Sequence, residues 1–462
     1  MNQDTICALA TASGVGALGI IRISGPDAFE ITSRVFDGKD LTKVKSHTIH
    51  YGFIKEGEES IDEVMVSVFQ APKTFTTEDS VEITLHGSPF IASRILEVLI
   101  KNGARMAKAG EFTQRAFLNG RIDLSQAEAI ADVIASENEA SRKVALNQLK
   151  GGISNEISNL RTDLLNFTSL IELELDFAEE DVEFADRTAL TILLDTIEGK
   201  LKNLIESFQY GNAVKNGVEV AIIGKPNAGK STLLNALLKE DRAIVSDIAG
   251  TTRDTIEEVF HLKGTAFRFI DTAGIRETED TIEAIGVQKA KEKIESARIL
   301  LYLFDEQDST TDEVIDFVKT FARKDLHIIL LHNKSDLSTG EADKFDDTLR
   351  SELIPSFASS LIPISAKEQT GLDELKEELT RYVDSLKGQE QSVVITNQRH
   401  YESLTKSLDS INRVRKAVSD SFHTELLAYE LRYALEYLGE ISGEFTNDEL
   451  LGNIFSKFCI GK

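Results

Sequence analysis

The apolar and polar positions of the first 120 residues alternate in short runs. The runs at 19–23, 63–69 and 81–85 predict β-strands, and one helical stretch is predicted at 90–101. Short strands mixed with a helix over this length predict a small α+β domain.

The next hundred residues have the period of helices. The pattern is helical from 125 to 148, and apolar residues then recur at steps of three and four, which places them on one face of a helix. They form two series: Ile153, Ile157, Leu160, Leu164, Phe167 and Ile171, and then Leu190, Leu194, Ile197, Leu201, Leu204 and Phe208. Each face needs a partner against which to pack.

The pattern changes abruptly at residue 218. Short apolar runs alternate with helical segments as far as residue 386, which predicts βαβ units and a doubly wound parallel sheet. The runs lie at 218–223, 267–270, 299–304, 327–331 and 361–364. After residue 389 the helical period resumes.

These changes of period predict a multidomain α/β protein. Residues 1–120 form the N-terminal α+β domain, 121–215 and 387–462 form two halves of a helical domain, and 216–386 form an α/β domain inserted between them. Four separate modules are the alternative, but the last stretch is short for independent folding. We therefore expect the two helical halves to pack together.

Charge and cysteine content limit the partners and the compartment. Asp and Glu number 77 against 51 Lys and Arg, and the net charge of −26 argues against a protein that coats nucleic acid unaided. Cys7 and Cys459 form no disulfide or metal-binding pattern, which suits a reducing compartment. The apolar runs have strand length and the N-terminus lacks a basic signal region, so we expect a cytoplasmic protein with no membrane contact.

An acidic run at 172–183 is either a divalent-ion site or, as we favour, the solvated end of a helix.

One segment carries a phosphate-binding pattern. Residues 224–231 are Gly-Lys-Pro-Asn-Ala-Gly-Lys-Ser, and they follow a predicted strand and begin a predicted helix, as a P-loop requires. The glycines let backbone N–H groups face the phosphates, and the helix N-terminus adds positive potential. Lys230 would neutralise the β- and γ-phosphates, while the Ser231 hydroxyl is a hard ligand for Mg²⁺. The candidate residues are Asn227, Ala228, Gly229, Lys230, Ser231 and Thr232.

Three further motifs follow in the order that a guanine-nucleotide domain needs. The Asp271 carboxylate can hold Mg²⁺ through water, and Gly274 can offer its N–H to the γ-phosphate. The Asp336 carboxylate can accept hydrogen bonds from the N1–H and 2-amino groups of guanine, which adenine lacks. The segment 365–367 supplies a backbone N–H for guanine O6. The candidates are Asp271, Thr272, Ala273, Gly274, Asn333, Lys334, Asp336, Ser365, Ala366 and Lys367. Each motif alone is an ordinary turn, but together they predict a guanine-nucleotide-binding domain.

One residue of the usual hydrolytic machinery is absent. Ras-like enzymes orient the attacking water with a Gln directly after the Asp-x-x-Gly motif. Ile275 occupies that position here and cannot orient water. The domain is therefore a slow switch, or another group performs this step.

Motifs elsewhere in the chain resemble one family of GTPases. The sequence Gly-Thr-Thr-Arg-Asp at 250–254 is similar to that of the translation-factor-like GTPases that include Era, Der and MnmE. The segments 4–6, 19–25 and 110–124, and the ending at 443–462 with its terminal Phe-Cys-Ile-Gly-Lys, resemble the MnmE (TrmE) family. The resemblance covers the whole length.

This resemblance implies a tRNA-modification GTPase that acts with the FAD protein MnmG. The pair would install an aminomethyl-type group on C5 of the wobble uridine, U34, with a one-carbon unit from 5-formyl- or methylene-tetrahydrofolate. The N-terminal domain would bind the folate and form a homodimer. The positions that match the folate site are Arg22, Glu82, Arg121 and Lys462, each of which is otherwise an ordinary polar surface residue. Whether glycine or ammonia supplies the nitrogen stays open, as does the choice of tRNAs.

The missing glutamine leads to a potassium hypothesis. K⁺ could take the place of an arginine finger in an oxygen cage formed by the Asn227 side chain and the carbonyls of Ser246 and Ile248. The resemblance adds Thr251 to this cage, Thr252 to the Mg²⁺ sphere of Ser231, and Glu283 as the residue that orients the attacking water. The loop residues that would contact GTP are Ser246, Asp247, Ile248, Ala249, Gly250, Thr251 and Thr252.

The sequence leaves alternatives open for the role of Cys459 and for the function of the protein. Cys459 matches a candidate nucleophile of the family, because thiolate addition at C6 activates C5 of uracil, but a role in packing the C-terminal tail is favoured. The alternative function is a ribosome-assembly GTPase that binds rRNA. Such proteins usually carry a basic RNA-binding module, whereas this chain has an acidic balance and a folate-like N-terminal domain.

Overall fold

The computed structural model describes seven stretches of the chain and divides it into two compact units. The stretches are 4–176, 187–241, 258–270, 294–338, 342–387, 393–419 and 424–461. The first unit comprises Met1–Ile134, Leu146–Asp195 and Lys406–Lys462, and the second comprises Ala135–Ala145 and Thr196–Thr405. The domain boundaries expected from the sequence stay predictions.

A seven-stranded sheet forms the centre of the N-terminal part, in the order β3-β4-β5-β6-β2-β1-β7. The strands are β1 Ile6–Leu9, β2 Leu18–Ser24, β3 Phe36–Asp37, β4 Thr48–Glu56, β5 Glu59–Phe69, β6 Ser80–His86 and β7 Arg105–Met106. All neighbours are antiparallel except β1 and β7. In β2, Ile21 and Ile23 are fully buried beneath the helices, whereas Arg22 points to the other face, where it lies opposite Glu82 of β6.

The expectation of a single helical stretch in this part was wrong. Within residues 4–120 the structure has three α-helices, α1 Ala28–Val35, α2 Pro89–Lys101 and α3 Glu111–Leu118, and a short 3-10 helix at Leu41–Lys43. The first and third have eight residues each, too short for the 3.6-residue period to stand out in the sequence. Apolar side chains of α1 and α2 pack on one face of the sheet.

Long helices form the rest of the first unit and extend into the second. They are α4 Leu124–Ile134, α5 Glu139–Leu149, α6 Gly152–Asp176, α7 Arg187–Asn216, α12 Gln398–Ser419, α13 Thr424–Ser442 and α14 Asp448–Ser456. The predicted apolar faces are buried, from Ile153 to Ile171 in α6 and from Leu190 to Leu204 in α7. Helix α6 packs along α13, so the two halves of the helical part meet as expected.

The inserted part of the second unit contains a six-stranded sheet in the order β13-β12-β11-β8-β10-β9. Its strands are β8 Val218–Gly224, β9 Glu258–Leu262, β10 Thr265–Phe269, β11 Ile299–Phe304, β12 His327–His332 and β13 Ser360–Pro363, and its helices are α8 Lys230–Asp241, α9 Thr311–Phe321, α10 Ala342–Leu353 and α11 Leu372–Ser385. Apolar clusters cover both faces of the sheet, which is why every residue of β11 is buried. The doubly wound sheet is confirmed. Strand β9 was not predicted from the sequence. It is an antiparallel edge strand whose residues are mostly half-exposed, so it lacks the continuous apolar run of the buried strands.

Two smaller expectations concern the acidic run and the membrane. In the described part of the run, Glu172 forms an ion pair with Arg432, and the residues that the structure describes contain no cluster of three metal-ligating side chains. Residues 177–183 lie outside the described stretches. Among the described helices, none is both long and apolar enough to cross a bilayer.

Candidate functional site

The P-loop connects the end of β8 to the start of α8. Gly224 ends the strand so close to β11 that a Cβ there would lie 2.4 Å from the Leu303 carbonyl oxygen. The loop then turns through positive φ angles at Asn227 (61°) and Gly229 (97°) before α8 begins at Lys230. This compact turn is the backbone arrangement that presents N–H groups to a phosphate.

The side chain of Lys230, at the start of α8, contacts this loop. The Lys230 ammonium donates to the carbonyl oxygens of Gly224 at 2.7 Å and Lys225 at 2.8 Å. Ser231 and Thr232 follow on the first turn and are exposed. The Lys225 ammonium points elsewhere, because it donates to the Asp308 carbonyl oxygen and forms an ion pair with Glu313.

Asn333 joins three of the sequence motifs. Its Nδ2 donates to the Ala228 carbonyl oxygen at 2.7 Å, and its Oδ1 accepts from the Ala366 N–H at 3.0 Å. A Cβ at Gly229 would lie 2.2 Å from the same Nδ2, so the glycine is needed for this approach. The Asn333 side chain is therefore a rigid link between the P-loop and the segment after β13.

The remaining base-recognition candidates surround Asn333. Lys334 has a φ of 62° and its ammonium lies 2.7 Å from the carboxylate of Asp305, which is 3% exposed. Asp336 lies in the short 3-10 turn Ser335–Leu337, and its side chain is exposed. Ser365 and Ala366 are buried, whereas Lys367 is exposed. A base bound beside Asp336 would bury its carboxylate.

Part of the predicted nucleotide site lies outside the described residues. These residues are Ser246, Asp247, Ile248, Ala249, Gly250, Thr251, Thr252, Asp271, Thr272, Ala273, Gly274 and Glu283. Of the predicted metal ligands, only Ser231 and Asn227 are described.

Three of the four predicted folate residues line one cavity in the N-terminal part. Arg22, Glu82 and Arg121 lie around a space of about 630 Å³. The Arg22 Nε and Nη2 donate to Glu82 Oε1 at 2.9 and 2.8 Å, across the paired strands β2 and β6. The fourth residue, Lys462, lies outside the described residues.

An aromatic side chain that no sequence motif predicts, Phe75, also lines this cavity. The Phe75 ring lies close to two guanidinium groups, with the Arg22 Cζ 5.5 Å and the Arg121 Cζ 5.4 Å from its centroid. Arg121 also donates to the Thr74 carbonyl oxygen. The segment that carries Phe75 connects β5 to β6 and has no motif in its sequence. Only its place beside Arg22 in three dimensions identifies it.

A buried polar network holds this connecting segment. The Arg115 guanidinium, whose side chain is 7% exposed, donates to both Glu78 carboxylate oxygens at 3.2 Å. Ser24 donates to Glu78 at 2.7 Å and lies 2.6 Å from the Thr76 hydroxyl. The Asn119 amide donates to the Thr76 carbonyl oxygen at 2.7 Å. Helix α3 and its C-cap therefore fix one wall of the cavity.

The C-terminal tail lies against the N-terminal sheet. Ile460 forms a β-bridge with Ala109, and a Cβ at Gly461 would lie 2.3 Å from the Leu9 carbonyl oxygen. Cys459 is exposed. Cys7 is buried, and burial raises the pKa of its thiol to about 11, which leaves it inert at neutral pH.

Sheet order and motif placement together define a Ras-like P-loop domain of the guanine-nucleotide class. Family models match most of the chain: the one described as "GTP-binding protein TrmE N-terminus" matches residues 5–121, and "MnmE helical domain" matches 124–459. The chain belongs to the MnmE (TrmE) family of tRNA modification GTPases.

Similar curated proteins span the full length. The protein named tRNA modification GTPase MnmE in Flavobacterium johnsoniae is 52% identical over 472 residues, and that of Bacteroides thetaiotaomicron is 51% identical over 467 residues, with 100% of each chain covered in both pairs. A solved structure of Era in complex with MgGDPNP and part of 16S ribosomal RNA aligns with 42% of this chain and 66% of that chain, at 27% identity and a TM-score of 0.28.

Proposed function

We propose that this GTPase, together with the protein MnmG, modifies C5 of U34 in certain tRNAs to an aminomethyl-type group. The one-carbon unit would come from 5-formyl- or methylene-tetrahydrofolate. One observation carries the proposal: a single chain combines the Asn333 link of a guanine site with a cavity that holds the Arg22–Glu82 pair. A ribosome-assembly switch has no use for that cavity.

Guanine recognition rests on the rigid surroundings of Asn333. Because Asn333 is held by Ala228 and Ala366, the turn that carries Asp336 has a fixed position relative to the P-loop. The Asp336 carboxylate would accept from the guanine N1–H and 2-amino groups, and Lys334 would cover the base. ATP would leave the enclosed carboxylate without donors, so the site would reject it.

Phosphate binding and hydrolysis would use the start of α8 and the loops that follow. Lys230 is positioned to exchange its contacts with the loop carbonyls for the β- and γ-phosphates. The hydroxyls of Ser231 and Thr252 would hold Mg²⁺, which neutralises charge on the β- and γ-phosphates.

A second cation would compensate for the missing glutamine. The Asn227 side chain is exposed on the P-loop, where its oxygen would hold K⁺ together with the Ser246 and Ile248 carbonyls and Thr251. Positive charge at that position offsets charge that develops between the β- and γ-phosphates. Glu283 would orient the attacking water through a second water.

The cavity fits a folate by size and by donor set. Its volume of about 630 Å³ lies within the usual range for small-molecule sites. Both Arg22 contacts use Glu82 Oε1, and a carboxylate at this position can accept hydrogen bonds from the aminopyrimidine edge of a pterin. Phe75 offers an apolar face for the ring, and Arg121 and Lys462 would meet the glutamate carboxylates.

Self-association would use the exposed side of the N-terminal sheet. Ile49, Tyr51 and Met65 are 67%, 62% and 48% exposed, and Tyr51 lies directly opposite Met65 in the β4–β5 pair. Such a contiguous apolar strip on a sheet face supports a homodimer.

MnmG would provide most contacts to the tRNA phosphates, since this chain carries a net charge of −26. Cys459 is exposed, so its thiol is accessible.

The nucleoside composition of tRNA from a deletion strain tests this function. We expect the C5 substituent at U34 to disappear and to return with the wild-type gene but not with a Lys230→Ala variant. Intact U34 modification together with accumulated ribosomal precursors would instead support the ribosome-assembly alternative.

A further inference from the structure

The described lining of the folate cavity carries more positive charge than its one carboxylate neutralises. Among the residues that the structure describes, the charged ones in this lining are Arg22, Lys73, Glu82 and Arg121. Glu82 is paired with Arg22. Within the described stretches of the chain, neither Lys73 nor Arg121 forms an ion pair with a carboxylate. Two cations therefore remain for a ligand, in a protein whose net charge is −26.

These two cations lie at the open end of the cavity. Lys73 and Arg121 are exposed, whereas Thr74, Thr76 and Ser80 of the wall are buried. Arg121 is held by the Thr74 carbonyl oxygen and the Phe75 ring, so its charge has a fixed position. Lys73 precedes Thr74 in the same wall, and its flexible side chain can follow a ligand that extends outward.

On the basis of the proposed folate function, we propose that Lys73 and Arg121 bind the γ-linked glutamate tail and select polyglutamylated folates. Each added γ-glutamyl residue extends the ligand outward and adds one carboxylate at the mouth of the cavity. The first glutamate alone would not bring a carboxylate to Lys73. Exposed pairs of this kind are each worth up to ~1 kcal/mol, or about fivefold in affinity, and salt weakens them.

The negative net charge of the protein affects how binding should depend on the length of the glutamate tail. A chain with 77 acidic and 51 basic residues repels polyanions in general, so a longer tail should weaken binding unless local cations meet it. Tighter binding of a ligand with a longer tail would therefore indicate that the cations at the cavity mouth contact the tail.

Calorimetry of the full-length protein with 5-formyl-tetrahydrofolate carrying one or five glutamates tests the proposal. We expect the pentaglutamate to bind up to about fivefold more tightly at low salt, from the additional exposed pair at Lys73, with the ratio falling at high salt. In Lys73→Gln the ratio should fall to about one, whereas Lys39→Gln, at an exposed lysine of the same domain that does not line the cavity, should keep the wild-type ratio.

The outcomes separate this inference from the proposed function. Equal affinity for both ligands would overturn tail recognition and leave the folate site intact. An unchanged ratio in Lys73→Gln would remove Lys73 from the tail site. Absence of binding by either ligand would contradict the folate function together with this inference.

Discussion

The Asn333 Nδ2 lies 2.7 Å from the carbonyl oxygen of Ala228, and this hydrogen bond connects the P-loop to the base-recognition motif. The same amide accepts from Ala366 through its oxygen. A single side chain thus satisfies two buried backbone groups from segments far apart in sequence.

Replacement of Asn333 by alanine should loosen both segments. Two buried backbone groups would lose their partner, at a cost of roughly 1–3 kcal/mol for each unsatisfied group. We expect a lower melting temperature and weaker GTP binding, measured by calorimetry and by nucleotide titration. Asn235→Ala, at an exposed position of α8, should change stability by less than about 0.5 kcal/mol. Equal stability of the two variants would show that the Asn333 link has no energetic role.

Substitution in the cavity should separate folate binding from GTP hydrolysis. Glu82→Gln removes the charge that pairs with Arg22 and replaces an acceptor with an amide, so tetrahydrofolate affinity should fall by about 10- to 100-fold. GTP hydrolysis should be unchanged. The exposed Glu59→Gln serves as the control. Unchanged folate affinity in Glu82→Gln would remove this residue from the site.

The carboxylates behind the cavity wall should make the fold sensitive to acid. Burial alone would raise the pKa of Glu111, but hydrogen bonds from Arg105, the Lys108 N–H and Arg115 outweigh it and lower the pKa below the usual 4.5. A hydrogen bond from Arg105 is the largest cause that lowers the pKa of Asp4. A carboxyl group with a lowered folded pKa stabilises the protein above its unfolded pKa, and this contribution is lost as the pH falls through the folded pKa.

Melting temperatures over a pH series check this relationship. They should fall as the pH drops below about 4.5, where the unfolded carboxyl groups begin to take up protons before the folded ones. Glu111→Gln should melt lower at neutral pH and lose part of this acid dependence, whereas the exposed Glu58→Gln should follow the wild type. Parallel curves for wild type and Glu111→Gln would contradict the assignment.

The monovalent cation should control hydrolysis. Because Ile275 cannot orient water, we expect fast GTP turnover in potassium and little in sodium, and a slow Glu283→Ala variant that still binds GTP. Turnover in the two salts, measured on the same preparation, provides the test. Equal rates would rule out the potassium mechanism while leaving the protein a GTPase.

The nucleotide site was easier to predict than the cavity because its residues are local in sequence. The P-loop and the segment around Asp336 each have a fixed spacing, and a doubly wound sheet brings the ends of its parallel strands together. The partners of Asn333 could not be predicted, since they depend on how closely Gly229 approaches its amide.

The cavity depends on pairings that no local pattern encodes. The Arg22–Glu82 contact follows from the register of β2 and β6, and Phe75 lies beside it in the β5–β6 connection, which α3 holds through the Arg115–Glu78 ion pair. Helix α1 and strand β9 were missed because one is short and the other is a half-exposed edge strand. Family resemblance supplied the positions of Arg22 and Glu82, and the fold supplied their surroundings.

The most direct test of the central claim links the base specificity of the G domain to tRNA modification. Asp336→Asn should lose about 10- to 100-fold in GTP affinity and gain binding of xanthosine triphosphate, because the amide matches the altered base edge. In a reaction with MnmG, tRNA, methylene-tetrahydrofolate and a nitrogen donor, glycine or ammonia, the variant should modify U34 with xanthosine triphosphate but not with GTP, and the exposed Asp347→Asn should behave as the wild type. Modification of U34 by Asp336→Asn with no nucleotide, or equally with both nucleotides, would contradict the claim that this G domain drives the reaction.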